Sequence, residues 1–400
     1  MPTKTPKQAV APGHPVSCPI VRALIGALAL AMTASLPGCF ADDSVYDLGC
    51  KYAHLRPVSF DPGDRGPWRV GVRTVEIGSS TVEVWYPAQK ELLPVHYEPE
   101  SYDLRQYLHP DDASLISDFD SPWQICNCHR DLVPDLAHGP YPVVVFLHGE
   151  GGFRTQSLPQ VTHWASRGFI VLAADLPGLR LEDALASACN GAPIAHDARS
   201  DAVRMILAVR GSAMVRDGAL AFLHGSIDAE RIAVVGHAEG GSALASLGNL
   251  AQVLVPMAAA GVEAGKALRS TLILGGTADS IVSYETQGEG FSSSPSPKRL
   301  VGIRDAGHLS FTEICELRNG RGQSAIEVLV EVGVCGAEQL EPRVQCDPDR
   351  LSDPWAWSII DTTTAAALGE TLQCQPRLGD AFDTLLEDDP EGVAEVRQEP

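Results

Sequence analysis

A strand-to-helix corner in the second half of the chain has the spacing of a nucleophile elbow but lacks the nucleophile. In IAVVGHAEGGSALASL, residues 232–247, a buried strand leads through a sharp turn into a helix of small residues. Hydrolases of the G-x-S-x-G type hold a serine at such a corner, where flanking glycines tolerate strain and close packing. Gly236 and Gly240 occupy the glycine positions, and Ala238 occupies the serine position. The pattern predicts an acyl-transfer framework with a methyl group where the attacking oxygen belongs.

Two further residues follow in the chain order of an α/β-hydrolase triad. LILGGTADS places Asp279 just after an apolar strand, and RDAGHLSF places His308 in a loop after the next strand. In such a triad the carboxylate orients the histidine, and the histidine takes the proton of the nucleophile. Upstream, FLHGEGGF puts a His-Gly turn after a strand, where one backbone amide of an oxyanion hole is expected. The four features in this order indicate a hydrolase framework.

The chain resembles the bacterial α/β hydrolases that are similar to platelet-activating-factor acetylhydrolase and related to cutinase-like polyester hydrolases. The resemblance covers roughly residues 65–315 and rests on these stretches: GPWRVGVRTVEI, VEVWYPA, SYDLRQYL, GPYPVVVFLHGEGGFRTQS, IAVVGHAEGG, LILGGTADS and GHLSF. It implies cleavage of carboxylic esters, especially short acyl groups on lipid-like alcohols, by a Ser-Asp-His triad without metal or cofactor. Carried over by position, the triad falls on Ala238, Asp279 and His308. The oxyanion-hole amides fall on Glu150 and Glu239.

The departures from the family pattern predict that conventional serine catalysis is absent. Alanine has no group that can attack a carbonyl. In a protease example, loss of the nucleophile lowers kcat by about a millionfold. The family usually has apolar side chains where this chain has Glu150 and Glu239, whose carboxylates would oppose an oxyanion. We therefore expect a non-catalytic pseudo-esterase that binds an ester, lipid or protein partner.

Besides a structural surface protein whose sheet is only a scaffold and whose cleft is filled, three alternatives remain open at the level of the sequence. One is an active carboxylic-ester hydrolase in which His308 activates a water or a carboxylate attacks. Another is a serine-to-alanine variant of an active esterase made in the laboratory. In the third, Glu150, Glu239, His237 and His308 gather a hard cation.

The apolar segments around the corner predict a mostly parallel, doubly wound α/β-hydrolase sheet with helices on both faces. Continuous apolar runs alternate with helical stretches, which is typical of strands buried on both sides. An antiparallel hairpin is predicted over 70–88, ahead of the parallel strands. We predict a single domain over 65–375. Residues 90–140 are predicted to form an excursion over the surface of this domain, and one role considered for the excursion is a cap over the site. An acidic, partly loose tail is predicted over 376–400.

The N-terminus has the pattern of an export signal. A basic start precedes the apolar stretch ALIGALALAMTA, residues 23–34, which is too short to span a bilayer. LPGC then resembles the lipobox of bacterial lipoproteins, which implies a signal peptide over 1–38, a lipidated Cys39 and a linker over 39–64. Pro37 is unusual in such a motif, so secretion without a lipid anchor is the alternative. If Cys39 carries a lipid, we expect the protein to be anchored at the bacterial cell envelope.

Cysteine content and charge agree with an exported protein that does not bind nucleic acid. Eight of the ten cysteines lie beyond Cys39, an even number that favours disulfides over a metal site at CNCH, residues 126–129. The formal net charge of −21 would repel phosphate backbones. The expected partners are an ester or lipid ligand and, through Cys39, a membrane.

Overall fold

The computed structural model describes residues 50, 54–90, 98–212, 214, 216–344, 346, 351 and 353–400. These residues belong to one compact unit, Ser44–Pro400. The predictions of a signal peptide over 1–38 and of a lipidated Cys39 fall outside the described residues. Within the described part of the chain, no helix has both the length and the hydropathy needed to cross a membrane.

A ten-stranded, mostly parallel sheet forms the centre of the fold, with the strand order β12-β11-β10-β9-β8-β6-β7-β2-β1-β5. Six consecutive strands, from β11 to β7 in that order, run parallel, whereas β2 and β12 pair antiparallel at either side of them. Strands β3 and β4 form a separate two-stranded sheet. The strands are β1 Arg69–Ile77, β2 Ser80–Ala88, β3 Ser101–Asp103, β4 Trp123–Ile125, β5 His129–Arg130, β6 Tyr141–Leu147, β7 Ile170–Ala174, β8 Ile227–His237, β9 Val253–Met257, β10 Ser270–Gly276, β11 Lys298–Ile303 and β12 Val393–Glu399.

Helices cover both faces of this sheet, because the side chains of its central strands alternate between two apolar layers. Along β6, Val144 and Phe146 pack in one layer, while Val143 and Val145 pack in the other. The helices are α1 Pro110–Ala113, α2 Leu158–Ser166, α3 Leu181–Asn190, α4 Ala198–Ser212, α5 Glu239–Ser242, α6 Tyr284–Ser293, α7 Ala325–Glu331, α8 Ala337–Leu340, α9 Asp353–Leu372 and α10 Ala381–Asp388. Short 3-10 helices occur at Leu104–Tyr107, Ala221–Leu223, Ala243–Ser246, His308–Phe311, Glu341–Arg343 and Pro376–Asp380. The α/β character predicted from the sequence is present and is compatible with an α/β hydrolase.

The predicted hairpin is present as β1 and β2, which pair antiparallel from Arg69 opposite Ala88 to Ile77 opposite Ser80. It joins the parallel strands through β2, which runs antiparallel to β7. The excursion predicted over 90–140 contains β3, β4, β5 and α1, so its described part is more ordered than a surface loop.

The C-terminal residues correct the prediction of a loose tail over 376–400. Helix α10 and strand β12 fill most of this segment, and β12 pairs antiparallel with β11. Val393 is completely buried, and Lys298 forms a 3.1 Å ion pair with Glu399. The acidic composition suggested a solvated tail, but the segment is held to the sheet by its pairing with β11 and by the burial of Val393.

The eight cysteines beyond Cys39 pair as disulfides, as expected from their even number. The bonds are Cys50–Cys374, Cys126–Cys128, Cys189–Cys335 and Cys315–Cys346. Because Cys126 and Cys128 bond to each other, the alternative of a metal half-site at CNCH is wrong.

Removal of residues 390–400 should destabilise the whole unit, because it uncovers the backbone of β11 and exposes the core beside Val393. We expect the free energy of unfolding to fall by about 2–4 kcal/mol in urea denaturation. The exposed Glu387 on α10 offers a control, and Glu387→Ala should change stability by less than about 0.5 kcal/mol. Equal stability of the truncated and intact chains would mean that the tail is loose after all.

Candidate active site

The backbone at Ala238 has the conformation of a strained strand-to-helix corner. Ala238 lies between β8 and α5 with φ 51° and ψ −117°, a region that costs a non-glycine residue about 1–3 kcal/mol. Its amide donates to the carbonyl of Met257 at 3.0 Å, and its carbonyl accepts from the amide of Ser242 at 2.8 Å. Hydrogen bonds on both sides therefore hold the strained residue in place.

The two glycines of the motif are required by backbone contact on either side of the corner. A Cβ on Gly236 would lie 2.4 Å from the carbonyl oxygen of Gly240. A Cβ on Gly240 would lie 2.4 Å from the carbonyl oxygen of Leu147, at the end of β6. Any side chain at either position would push the short helix α5 away from the sheet.

Asp279 and His308 form the hydrogen-bonded pair that their order in the chain predicts. The imidazole Nδ1 of His308 lies 2.9 Å from Oδ2 of Asp279, and both side chains are buried. The amides of Ile281 and Val282 each donate to Oδ1 of Asp279 at 2.9 Å, which fixes the carboxylate. With Nδ1 donating to the carboxylate, Nε2 of a neutral His308 is the acceptor that a general base needs.

The ionisation of Asp279 is set by opposing effects. Burial acts to raise its pKa, but the hydrogen bond and charge of His308 and the two amide donors outweigh burial, so the pKa lies below its ordinary value. Asp279 therefore remains a carboxylate near neutral pH and keeps His308 in one orientation.

His237 supports His308 from beneath and is not itself a reacting group. Its Nε2 donates to the backbone carbonyl of His308 at 2.9 Å, and the two rings lie 4.8 Å apart. Burial, reinforced by neighbouring His308, lowers the pKa of His237 to about 3, so the ring is neutral. This contact sets the Asp279–His308 pair beside the corner that contains Ala238.

The expected oxyanion hole contains a carboxylate. Glu239 Oε2 lies 3.4 Å from the backbone amide of Glu150, one of the two amides assigned to the hole from the sequence. The turn that presents this amide is fixed by His148, whose Nδ1 donates to the Gly149 carbonyl at 2.8 Å and whose Nε2 accepts from the Leu176 amide at 2.9 Å. The amide predicted to be an oxyanion-hole donor therefore donates to the side chain of Glu239.

A buried ionic network that the sequence analysis missed anchors the far end of this turn. The Arg154 amide donates to Asp175 at 2.8 Å, and the Arg154 guanidinium contacts Glu83 at 3.4 Å. Glu83 is completely buried and accepts from Arg130 at 2.9 Å. The one available signal was a charged residue inside the apolar strand VEVWY, which is unusual unless the charge is paired.

An apolar cavity of about 380 Å³ opens beside His308, Glu150 and Glu239. This volume is in the range of small-molecule sites. Its walls come from the excursion, from the segment after β6, from the segment between β11 and α7, and from helices α3, α7 and α8. They include Leu104, Phe153, Leu181, Leu317, Ile326 and Leu329. Leu104 shows that the excursion contributes a wall next to the candidate site.

The structure does not support the cation site considered for Glu150, Glu239, His237 and His308. Nε2 of His237 is engaged by a backbone carbonyl, and the ring is buried below His308. Among the residues that the structure describes, no group of three or more His, Cys, Asp or Glu side chains is arranged to hold a metal ion.

One family model matches part of the chain. The model of platelet-activating factor acetylhydrolase, isoform II, matches residues 124–188. The match supports a platelet-activating-factor-acetylhydrolase-like esterase family. It includes Glu150 and the turn around it, whereas Ala238, Asp279 and His308 lie beyond it. No curated protein matches the chain.

Replacing Ala238 by glycine should stabilise the protein, because glycine adopts a positive φ without steric cost. We expect Ala238→Gly to raise the free energy of unfolding by about 1 kcal/mol in urea denaturation. Ala243, with φ −63° and ψ −19°, is the matched control on the same segment. Ala243→Gly should lower stability by about 0.5–1 kcal/mol. A destabilised Ala238→Gly protein would show that the corner is not strained.

The Asp279–His308 pair should make stability fall in acid. Because the pKa of Asp279 is lowered on folding, its contribution is present above its ordinary pKa of 3.8 and is lost as pH falls through the lower folded value. The loss of unfolding free energy in Asp279→Asn should therefore be largest near pH 5 and shrink below about pH 4. Urea titrations from pH 3 to 5 test this, with exposed Asp217→Asn as the control. A pH-independent loss would contradict the assignment.

Proposed function

We propose that this chain is an exported, lipid-anchored protein with an α/β-hydrolase fold that binds an ester, lipid or protein partner without serine catalysis. The hydrolase-type framework is supported by the matched family model and the mostly parallel sheet. The absence of catalysis, the anchor at Cys39 and the partner are parts of the proposal. The disulfides agree with an oxidising compartment.

The observation that carries the proposal is a methyl group at the strained corner beside an intact acid–base pair. Ala238 has the backbone conformation of a nucleophile elbow, and the Asp279–His308 pair lies beside it. Serine catalysis needs an oxygen at residue 238 to attack the carbonyl while histidine takes its proton. A methyl group supplies neither the lone pair nor the proton, so this route is closed.

The position of Glu239 adds a second obstacle to ester hydrolysis. A carbonyl oxygen entering the hole would have to displace the Glu239 carboxylate from the Glu150 amide. Two like charges about 4 Å apart repel by about 1 kcal/mol in water and about 4 kcal/mol at an effective dielectric of 20. One oxyanion-hole donor contributes a comparable ~2.7–4 kcal/mol. Ionised Glu239 therefore offsets much of what the hole would supply.

Hydrolysis by another route is the second candidate, because the Asp279–His308 pair is complete. A water activated by His308 would replace the serine, or a carboxylate would attack. The matching test is His308→Ala in the natural chain. If that substitution abolishes a measurable ester turnover, this candidate replaces the first.

Restoring the serine and removing the acidic neighbour tests the leading proposal. Ala238→Ser alone should hydrolyse p-nitrophenyl acetate slowly, because Glu239 still occupies the Glu150 amide. Ala238→Ser combined with Glu239→Ala should raise kcat by about 100-fold over the single variant, the value of freeing one oxyanion-hole donor. Initial rates at neutral pH measure the effect.

The triple variant that adds His308→Ala controls for nonspecific hydrolysis and should return the rate to background. Failure of both serine variants to hydrolyse esters would refute the esterase framework. Turnover by the natural chain that matches the double variant and depends on His308 would refute the loss of catalysis.

A further inference from the structure

Glu150 and Glu239 lie at the junction of two cavities. Both residues border the apolar cavity of about 380 Å³ described above. Both also border a second, more open cavity of about 500 Å³, whose walls include Asp183, Ser187 and His196. A molecule that moves between the two cavities therefore passes close to these two residues.

No lysine, arginine or histidine forms an ion pair with either carboxylate in the part of the chain that the structure describes. The one hydrogen bond of the Glu239 carboxylate within that part is the 3.4 Å bond from the Glu150 amide. Arg180 forms an isolated β-bridge with Gly152, close to Glu150, but its side chain is engaged by Glu182 at 2.6 Å and by Asp183 at 2.7 Å. The junction therefore has uncompensated negative charge.

His308 is the one basic residue among the described residues that line the apolar cavity. None of its lining residues in the described chain is lysine or arginine. His308 also lines it, but Nδ1 of this ring faces the Asp279 carboxylate. An anionic head at the junction would meet repulsion from two carboxylates, whereas a cationic head would meet attraction without displacing a basic side chain.

We propose that the apolar cavity takes an amphiphile with a cationic head, such as a long-chain amine or quaternary ammonium, whose charge is met by Glu150 and Glu239. The inference rests on the proposed binding function and specifies its ligand class. The alkyl chain fills the space between Leu181, Leu317 and Leu329, where its burial drives binding. At the junction, the cationic head forms an ion pair with the Glu239 carboxylate, which otherwise accepts one hydrogen bond from the Glu150 amide.

Three dodecyl amphiphiles that differ only in their heads test this selectivity. Dodecyltrimethylammonium, dodecanoate and dodecyl maltoside are titrated below their micellar concentrations into the full chain by calorimetry at low ionic strength. The cationic probe should bind at least tenfold more tightly than dodecanoate, with the uncharged probe between them. Raising the salt concentration should narrow this difference.

Charge-neutral variants assign the effect to the junction. Glu150→Gln and Glu239→Gln should each weaken binding of the cationic probe by roughly fivefold and leave dodecyl maltoside unchanged. The exposed Glu230, at the opposite end of β8 from Glu239, is the matched control. Glu230→Gln changes the net charge equally but should leave all three affinities unchanged.

The outcomes separate this inference from the proposed function. Equal affinity for the three heads, or equal effects of Glu230→Gln and Glu239→Gln, would overturn the charge selectivity while leaving ligand binding intact. If no probe binds, the proposal that the cavity holds a lipid-like ligand fails as well.

Discussion

The close backbone contact at the corner between β8 and α5 is the constraint on which the rest of the site depends. Gly240 lies against the end of β6, and Gly236 lies against Gly240, so the chain must turn sharply at residue 238. That turn forces a positive φ on a residue that has a side chain. The same turn sets Glu239 against the amide of Glu150 and places His237 under His308. The remaining geometry of the site follows from this contact.

A site of this kind normally uses its local field to stabilise negative charge that develops on a substrate oxygen. Here the backbone donor is retained, but the side chain next to the corner supplies a full negative charge at the same place. Under the proposed function, the electrostatic preference of the site is therefore reversed, although the fold is compatible with an α/β hydrolase. In that proposal, the difference arises from the methyl group at residue 238 and the carboxylate at residue 239.

The sequence predicted the parts of the site that depend on local pattern. Glycine spacing around Ala238 and the strand before it predicted the corner, and the positions of Asp279 and His308 after two apolar strands predicted their pairing. Residues after the carboxyl ends of neighbouring parallel strands meet at one edge of the sheet, so order along the chain was enough.

The features that the sequence did not predict depend on contacts distant in the chain. Strand β12 is paired through β11, almost a hundred residues earlier, which composition alone cannot indicate. The partners of Glu83 come from four separate segments, and the disulfide pairing and the cavity likewise require the assembled fold. The contact between Glu239 and the Glu150 amide joins two loops whose side-chain directions no pattern specifies.

The disulfides have a consequence for how the cavity is reached. Cys189–Cys335 ties the end of α3 to the segment before α8, and Cys315–Cys346 ties the segment after His308 to the chain beyond Val344. These linked segments carry apolar walls of the cavity, including Leu181 and Leu340. Each disulfide limits how far the two segments that it joins can separate. Oxidation of these cysteines therefore restricts how far this part of the cavity wall can open to admit a ligand.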